Sequence, residues 1–220
     1  LEHGGVAPLI FDKYADEQGF INGVVKASMY HSGQVCVSVQ RVYVPKDRAT
    51  EMAQKIANIA SKQVVGDAIN EDSDLGPLIL PKETDRIEAW VDEAIQEGAT
   101  LITGGKRINE VSYEPTVLLN PAKGSKVSTQ EVFGPIVCIY GYQIINDAIE
   151  QANSLDVSFQ SAIFSDDVSL AMGVAKKLEA SAVMINDYTT FRVDWMPFAG
   201  RKHSGYGIGG IGYSRSEEHT

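Results

Sequence analysis

The sequence predicts an α/β fold: a mostly parallel three-layer sheet flanked by helices. Two features carry that expectation. Short runs rich in Val and Ile alternate with amphipathic stretches of roughly 10–15 residues, the rhythm of βαβ crossovers. Gly, Pro, Asn and Asp punctuate the boundaries between them. At 220 residues, the chain can bury roughly 70–75 % of its unfolded surface, so a core forms without disulfide staples.

The elements follow in order. Residues 6–11 are an apolar run ending at Asp12 and read as a buried strand. Over 15–30, Phe20, Val24 and Ala27 recur at helical spacing. Residues 39–44 read as a strand that stops at Pro45. Over 47–61, Met52, Ile56, Ile59 and Ala60 line one face of an amphipathic helix. A turn-rich linker covers 66–81. Residues 85–97 read as a helix stopped by Gly98. Strands are expected at 100–103, 115–119, 136–142, 160–164 and 182–185, and helices at 146–154 and 168–178. From Tyr188 onward the chain is glycine-rich and reads as loop. No internal repeat or internal domain boundary is visible. The chain opens at Leu1, inside an apparent element, and is expected to be a domain of something longer.

Composition narrows the partners. The formal net charge is −10, whereas a nucleic-acid surface needs concentrated basic charge. No apolar run approaches the ~20 residues that span a bilayer, and no signal peptide opens the chain. Two cysteines, Cys36 and Cys138, are too few for a disulfide framework, so a reducing, cytoplasmic setting is expected. His3, His31, His203 and His219 lack metal-ligand spacing with either cysteine, and no metal site is expected. Cys138 lies in an apolar strand and reads as core.

Two residues carry candidate chemistry. Cys36 follows Ser32-Gly33-Gln34-Val35, where a tight turn after a helix can hold a sulfur exposed. A free thiol has a pKa of ~8.5, so a nucleophile there needs a nearby base or dipole to raise its thiolate fraction. The alternative is a buried, inert cysteine. Glu2 precedes His3-Gly4-Gly5, a backbone free to turn sharply and bring a carboxylate to a reacting carbon. The alternative is an exposed terminal Glu.

Four stretches, in order, resemble the aldehyde dehydrogenase superfamily. Leu1-Glu2-His3-Gly4-Gly5 resembles its general-base motif, with His3 where Leu is usual. Gly33-Gln34-Val35-Cys36 resembles its nucleophile motif. Glu131-Val132-Phe133-Gly134-Pro135 is identical to its cofactor-contact motif. Pro197-Phe198-Ala199-Gly200-Arg201-Lys202-His203-Ser204-Gly205 resembles its late loop, with Ala199 where Gly is usual. The spacing from Glu2 to Cys36 is also the family's. The resemblance implies an NAD- or NADP-dependent oxidation of an aldehyde to a carboxylic acid. Cys36 is then the nucleophile that forms a thiohemiacetal and a thioester, and Glu2 the base that hydrolyses the thioester. Glu131 would bind the nicotinamide ribose and Phe133 would pack near the cofactor ring. The resemblance also implies that residues 1–213 are the catalytic domain and 214–220 a tail. The cofactor-binding domain, which carries most of the NAD or NADP contacts, would then precede this chain. The full-length protein is expected to form a homo-oligomer.

The resemblance places the substrate pocket around Val35, Val37 and residues 187–195, with Phe198 beside it. Arg192 stands there among Thr189, Thr190 and Phe191. An arginine in an apolar pocket needs a partner, which a small anionic aldehyde would supply. The alternatives are a surface arginine or one bridged to Asp194. Gly205-Tyr206-Gly207-Ile208-Gly209-Gly210 fits G-x-G-x-x-G. It lacks the preceding strand, following helix and later acidic residue of a dinucleotide fingerprint, and reads as a loop. Two rival functions remain: a cofactor-independent cysteine hydrolase using Cys36 and Glu2, and a non-catalytic assembly domain with an inert Cys36. The Glu-Val-Phe-Gly-Pro stretch argues against the first and the intact base motif against the second.

Overall fold

The computed structural model describes residues 4–210 and Gly212. Its strands are β1 (Ala7–Phe11), β2 (Val39–Pro45), β3 (Thr100–Thr103), β4 (Arg107–Asn109), β5 (Ser112–Tyr113), β6 (Thr116–Leu119), β7 (Ile136–Tyr142), β8 (Val157–Ser158), β9 (Gln160–Phe164), β10 (Ala182–Ile185), β11 (Phe198–Ala199), β12 (Arg201–Lys202) and β13 (Ile208–Gly209). The helices are α1 (Glu17–Met29), α2 (Ala49–Ala60), α3 (Pro81–Gln96), α4 (Lys126–Thr129), α5 (Ile145–Asn153) and α6 (Val168–Ala175).

Seven strands form one sheet in the order β10-β9-β1-β2-β7-β6-β3. The first six are parallel, and β3 closes the edge antiparallel to β6. Side-chain alternation divides the strands between two cores. Leu9, Phe11, Val42 and Val44 face one side, where Phe20 and Val24 of α1 and Met52 and Ile56 of α2 cover them. Ile10, Tyr43, Cys138 and Ile163 face the other, with Ile87 and Val91 of α3, Ile149 of α5 and Ala171 of α6. This is the expected three-layer α/β arrangement. Each fully buried Leu, Ile or Phe contributes about 1.5–3 kcal/mol before chain entropy is counted.

Helix ends follow local chemistry. Asp16 caps α1 by accepting from the Gly19 N–H at 2.9 Å. α3 starts at Pro81 rather than at Asp85, because proline fits the first helical position, where its missing N–H costs nothing. The β4–β5 hairpin, α4 and the short β8, β11, β12 and β13 lie in segments too short or too polar to show a period. The G-x-G-x-x-G stretch doubles back, so that Ile208 and Gly209 pair antiparallel with Ala199 and Phe198. It opens no nucleotide-binding helix among the described residues. No helix of the described residues is long and apolar enough to cross a membrane.

Candidate active site

The strand order determines which loops meet. β9, β1, β2 and β7 are consecutive neighbours and run parallel. Their amino ends therefore line up along one edge of the sheet. Phe159 precedes β9, Gly4 and Gly5 precede β1, Cys36 precedes β2, and Glu131 and Phe133 precede β7. Residues far apart in sequence are brought side by side by this topology alone.

Cys36 lies in the turn that links α1 to β2. His31, Ser32 and Gly33 form a left-handed run with φ of 51°, 56° and 72°. Such a run strains His31 and Ser32, and surrounding bonds hold it. Ser32 Oγ donates to the Gly76 carbonyl at 2.6 Å. The Gln34 side chain donates to Pro77 O and accepts from Ile79 N. The Ser38 N–H closes the turn on Val35 O at 2.9 Å, which leaves Cys36 at its apex, half-buried. A β-carbon on Gly33 would overlap the Gly134 carbonyl oxygen. Only glycine lets the Cys36 turn touch the Glu131–Pro135 loop.

That second loop is fixed from below by Gln40, a buried side chain four residues after Cys36. Its Nε2 donates to Val127 O and Gln130 O at 2.9 and 2.8 Å, and its Oε1 accepts from Val132 N at 3.0 Å. Arg86 also donates to Val132 O at 2.6 Å. Phe133 follows in a left-handed conformation, φ 50°, and is 37 % exposed. Glu131 turns inward: its Oε1 accepts the Gly5 N–H at 3.0 Å.

The late loop closes the site from the β9 side. Ser204 Oγ donates to Gly4 O and accepts from Ser158 N, each at 2.7 Å. Phe198 stacks on Phe159, with ring centroids 5.3 Å apart at 16°. A β-carbon on Gly5 would lie 2.8 Å from both Phe159 and the Cys36 carbonyl. Arg192 spans the outer side, its guanidinium 5.1 Å from the Phe198 ring centre and its Nη1 on Met196 O at 2.9 Å. It is exposed, and no carboxylate, Asp194 included, pairs with it among the described residues. Thr189 ties the same segment to the Cys36 turn by donating to Val37 O at 2.6 Å.

A cavity of about 390 Å³ runs between α1 and this segment, lined by Lys26, Ala27, Tyr30, Thr190 and Phe191 among others. Burial raises the Tyr30 phenol above its ordinary value, and the nearby Cys36 charge raises it further. Tyr30 therefore stays protonated beside the sulfur at neutral pH. A larger cavity, about 480 Å³, opens beside Tyr43, Ser128 and Tyr140, but neither Cys36 nor Glu131 lines it. Cys138 contrasts with Cys36: it is wholly buried in β7, and burial pushes its thiol up to about 12.

The structure thus brings Cys36, Glu131, Phe133, Phe198 and Arg192 to one edge. Glu2 lies outside the described residues, although Gly4 and Gly5, which follow it, enter this edge. Sequence reasoning missed Phe159, Gln40 and the tie from Ser204 to Gly4. Of these, only Gln40 gave a local signal, as a polar residue in an apolar strand.

Comparison with known proteins agrees with this architecture. The profile of the aldehyde dehydrogenase family matches residues 1–219. A 3-sulfolactaldehyde dehydrogenase of Priestia aryabhattai is 40 % identical over 99 % of this chain, which spans 45 % of that protein. The crystal structure of aldehyde dehydrogenase 21 from Physcomitrella patens, in complex with its product succinate, superimposes with a TM-score of 0.94 at 33 % identity. It covers 98 % of this chain and 45 % of its own. A glyceraldehyde-3-phosphate dehydrogenase from Methanocaldococcus jannaschii, complexed with NADP, gives 0.93 at 36 % identity over 99 % of this chain and 47 % of its own. The chain spans about half the length of these relatives, and it belongs to the aldehyde dehydrogenase family.

Proposed function

We propose that the protein carrying this chain oxidises an aldehyde to a carboxylic acid with NAD or NADP, and that residues 1–213 are its catalytic domain and 214–220 a tail. One observation carries the reading. The Cys36 turn, the Gly4–Gly5 backbone that follows Glu2, and the Glu131–Phe133 loop converge at the amino ends of adjacent strands.

The Cys36 thiolate attacks the aldehyde carbon and forms a C–S bond. The Cys36 backbone N–H donates to the oxyanion that develops. NAD or NADP, when bound, supplies the acceptor for the hydride that this carbon loses. The carbon is left as a thioester on Cys36. Glu2 then takes a proton from water, the water attacks the thioester, and the acid and the thiol separate. The residues suit a nicotinamide cofactor. Glu131 offers a half-buried carboxylate to sugar hydroxyls, and Phe133 offers an exposed aromatic face beside it.

The substrate class we favour is a small anionic aldehyde. Arg192 keeps Nε and Nη2 without a protein partner among the described residues. Phe198 beneath it stacks on Phe159, which packs against Gly5 beside the Cys36 carbonyl. Three of the similar proteins carry a sulfonate or a phosphate in the substrate that names them, or a carboxylate in the bound product, whereas others are named for lactaldehyde or betaine aldehyde. The acidic charge of −10 and a count of only two cysteines fit a cytoplasmic protein without nucleic-acid or membrane partners, and the family resemblance implies a homo-oligomer of the complete protein.

The test follows reduced-cofactor formation by the complete protein. Cys36→Ser is expected to abolish it; full oxidation by that variant would sink the reading. Ester turnover with no cofactor-dependent oxidation would favour the hydrolase instead. Arg192→Ala is expected to raise KM at least about tenfold for an anionic aldehyde, the worth of one charge-assisted hydrogen bond, and to leave a neutral aldehyde nearly unchanged. Equal effects on both would remove the anionic subsite.

A further inference from the structure

Three consecutive residues just before β1 are each gripped by a side chain from elsewhere. Ser204 donates to Gly4 O, Glu131 accepts from Gly5 N, and Arg41 donates to Val6 O from Nε and Nη2 at 3.2 and 2.9 Å. Ser204 and Arg41 are buried, and both spend their remaining bonds on other protein groups: Ser158 N for Ser204, and Tyr43 Oη, Gln151 O and Ala152 O for Arg41. The third grip is different in kind. It is a half-buried carboxylate, and a charged acceptor on a backbone N–H is among the stronger hydrogen bonds.

Glu131 also lies across Gly4. A β-carbon there would come within 2.6 Å of Oε2, and Gly4 has φ of +93°. Glycine at this position allows the carboxylate to sit on the backbone itself. The Glu131 loop cannot drift, because Gln40 holds both Gln130 O and Val132 N on either side of it.

We propose that Glu131 is a positioning residue for the segment that carries Glu2, in addition to its role toward the cofactor ribose. This rests on the proposed function, which makes Glu2 the base. Glu131 accepts from the N–H of the peptide that joins Gly4 to Gly5, and so fixes the backbone that follows Glu2 by three residues. One carboxylate then serves both halves of the reaction. Its contact with Gly5 matters during hydrolysis of the thioester, when hydride transfer is already over.

The experiment separates this role from cofactor binding by leaving the cofactor out. The complete protein is mixed with p-nitrophenyl acetate. The initial burst of nitrophenol reports acylation of Cys36, and the steady rate reports hydrolysis of the acyl-enzyme. Glu131→Ala is expected to slow the steady rate about tenfold or more, since a misplaced general base loses much of its effect. The burst rate stays within about threefold, and the pH profile of hydrolysis flattens as the base drops out. Glu131→Gln keeps an oxygen for the Gly5 N–H and recovers most of the loss. Amide exchange at Gly5 quickens in Glu131→Ala and not in Glu131→Gln. Wild-type hydrolysis and exchange in Glu131→Ala would overturn the proposal, and so would a Gln variant no better than Ala. The underlying reading has its own control: if wild-type protein shows no burst on Cys36, or Glu2→Gln hydrolyses the acyl-enzyme at full rate, the assignment of nucleophile and base fails first.

Discussion

Alkylation of the native chain should discriminate between its two cysteines by more than three orders of magnitude. The perturbation is iodoacetamide at pH 8, quenched at intervals, with each cysteine peptide read by mass spectrometry. Only the thiolate reacts. The Cys138 thiol, wholly buried in β7, is held up to about 12 by burial. At pH 8 about one molecule in 10⁴ carries its thiolate, whereas an ordinary exposed thiol is about one quarter ionised. Ionisation alone therefore gives a ratio of about 2,000, and the need to open the sheet before reagent can enter enlarges it. Cys36 lies outside the sheet, half-buried at the apex of its turn. In denaturant the two should label at the same rate. If Cys138 labels within tenfold of Cys36 in the native chain, β7 is not central, and the pairing of Cys138 with Arg41 falls with it. Cys36 labelling faster than a free thiol near pH 7 would show that activation is built into this chain.

Gln40→Leu keeps the volume of the side chain but strips three hydrogen bonds from Val127 O, Gln130 O and Val132 N. Unmet buried polar groups cost about 1–3 kcal/mol each, so a loss of about 2–5 kcal/mol is expected after partial relaxation. A urea midpoint that moves by the equivalent of less than about 1 kcal/mol would show that Gln40 does not hold the loop. Alkaline stability supplies another check. The Cys138 thiol rises from 9.0 to about 12 on folding, so between those values the unfolded chain binds fewer protons than the native one. Its contribution is fully present below pH 9 and is lost as pH climbs toward 12. The loss by pH 10 is about 1.4 kcal/mol. Tyr113, Tyr140, Tyr142 and Tyr188 are also raised by burial and add further losses above pH 10. Cys138→Ala should therefore flatten the urea-midpoint curve between pH 9 and 10 and leave the steeper fall above it. An unchanged curve would contradict the burial of this thiol.

Much of the fold could be read from local pattern. β3, β7, β9 and β10 fall on the expected residues because each is a β-branched or apolar run closed by a turn former or a polar stretch. α2 was legible because Met52 and Ile56 repeat at helical spacing over the sheet. α3 was only partly legible: Lys82, Glu83 and Asp85 give its first turn no apolar stripe, and Pro81 is a start signal that resembles a linker. The candidate site divides in the same way. Cys36, Glu131, Phe133 and Phe198 sit in motifs that are contiguous in sequence, so they could be named. Phe159 could not, because it reaches Gly5 and Phe198 only through the neighbouring places of β1 and β9 in the sheet. The exposed position of Arg192 over Phe198 was equally unreadable, since it depends on how residues after β10 return along α1. Tyr188 donating to Gly19 O and Phe20 O, and Thr189 to Val37 O, are the contacts that direct that return.

The edge chosen for the site has a physical consequence. Open parallel sheets usually bind ligands outside the carboxyl ends of their strands, where loops splay apart at a topological switch. Here Phe159, Gly5, Cys36 and Glu131 gather at the amino ends of four adjacent strands. Loops on adjacent strands start about 4.8 Å apart, so they crowd. Glycine relieves the crowding where loops touch. A β-carbon on Gly5 would press the Cys36 carbonyl and Phe159; one on Gly33 would overlap Gly134; one on Gly134 would overlap Ile87. Contact this close leaves little room for the backbone of the Cys36 turn to move. Cys36 stands three residues ahead of Val39, the first residue of a strand paired on both sides. Its turn can shift only if β1, β2 or β7 shifts with it. Cys36 is thus held from the centre of the sheet, whereas the late loop and Arg192 lie at the rim of this edge.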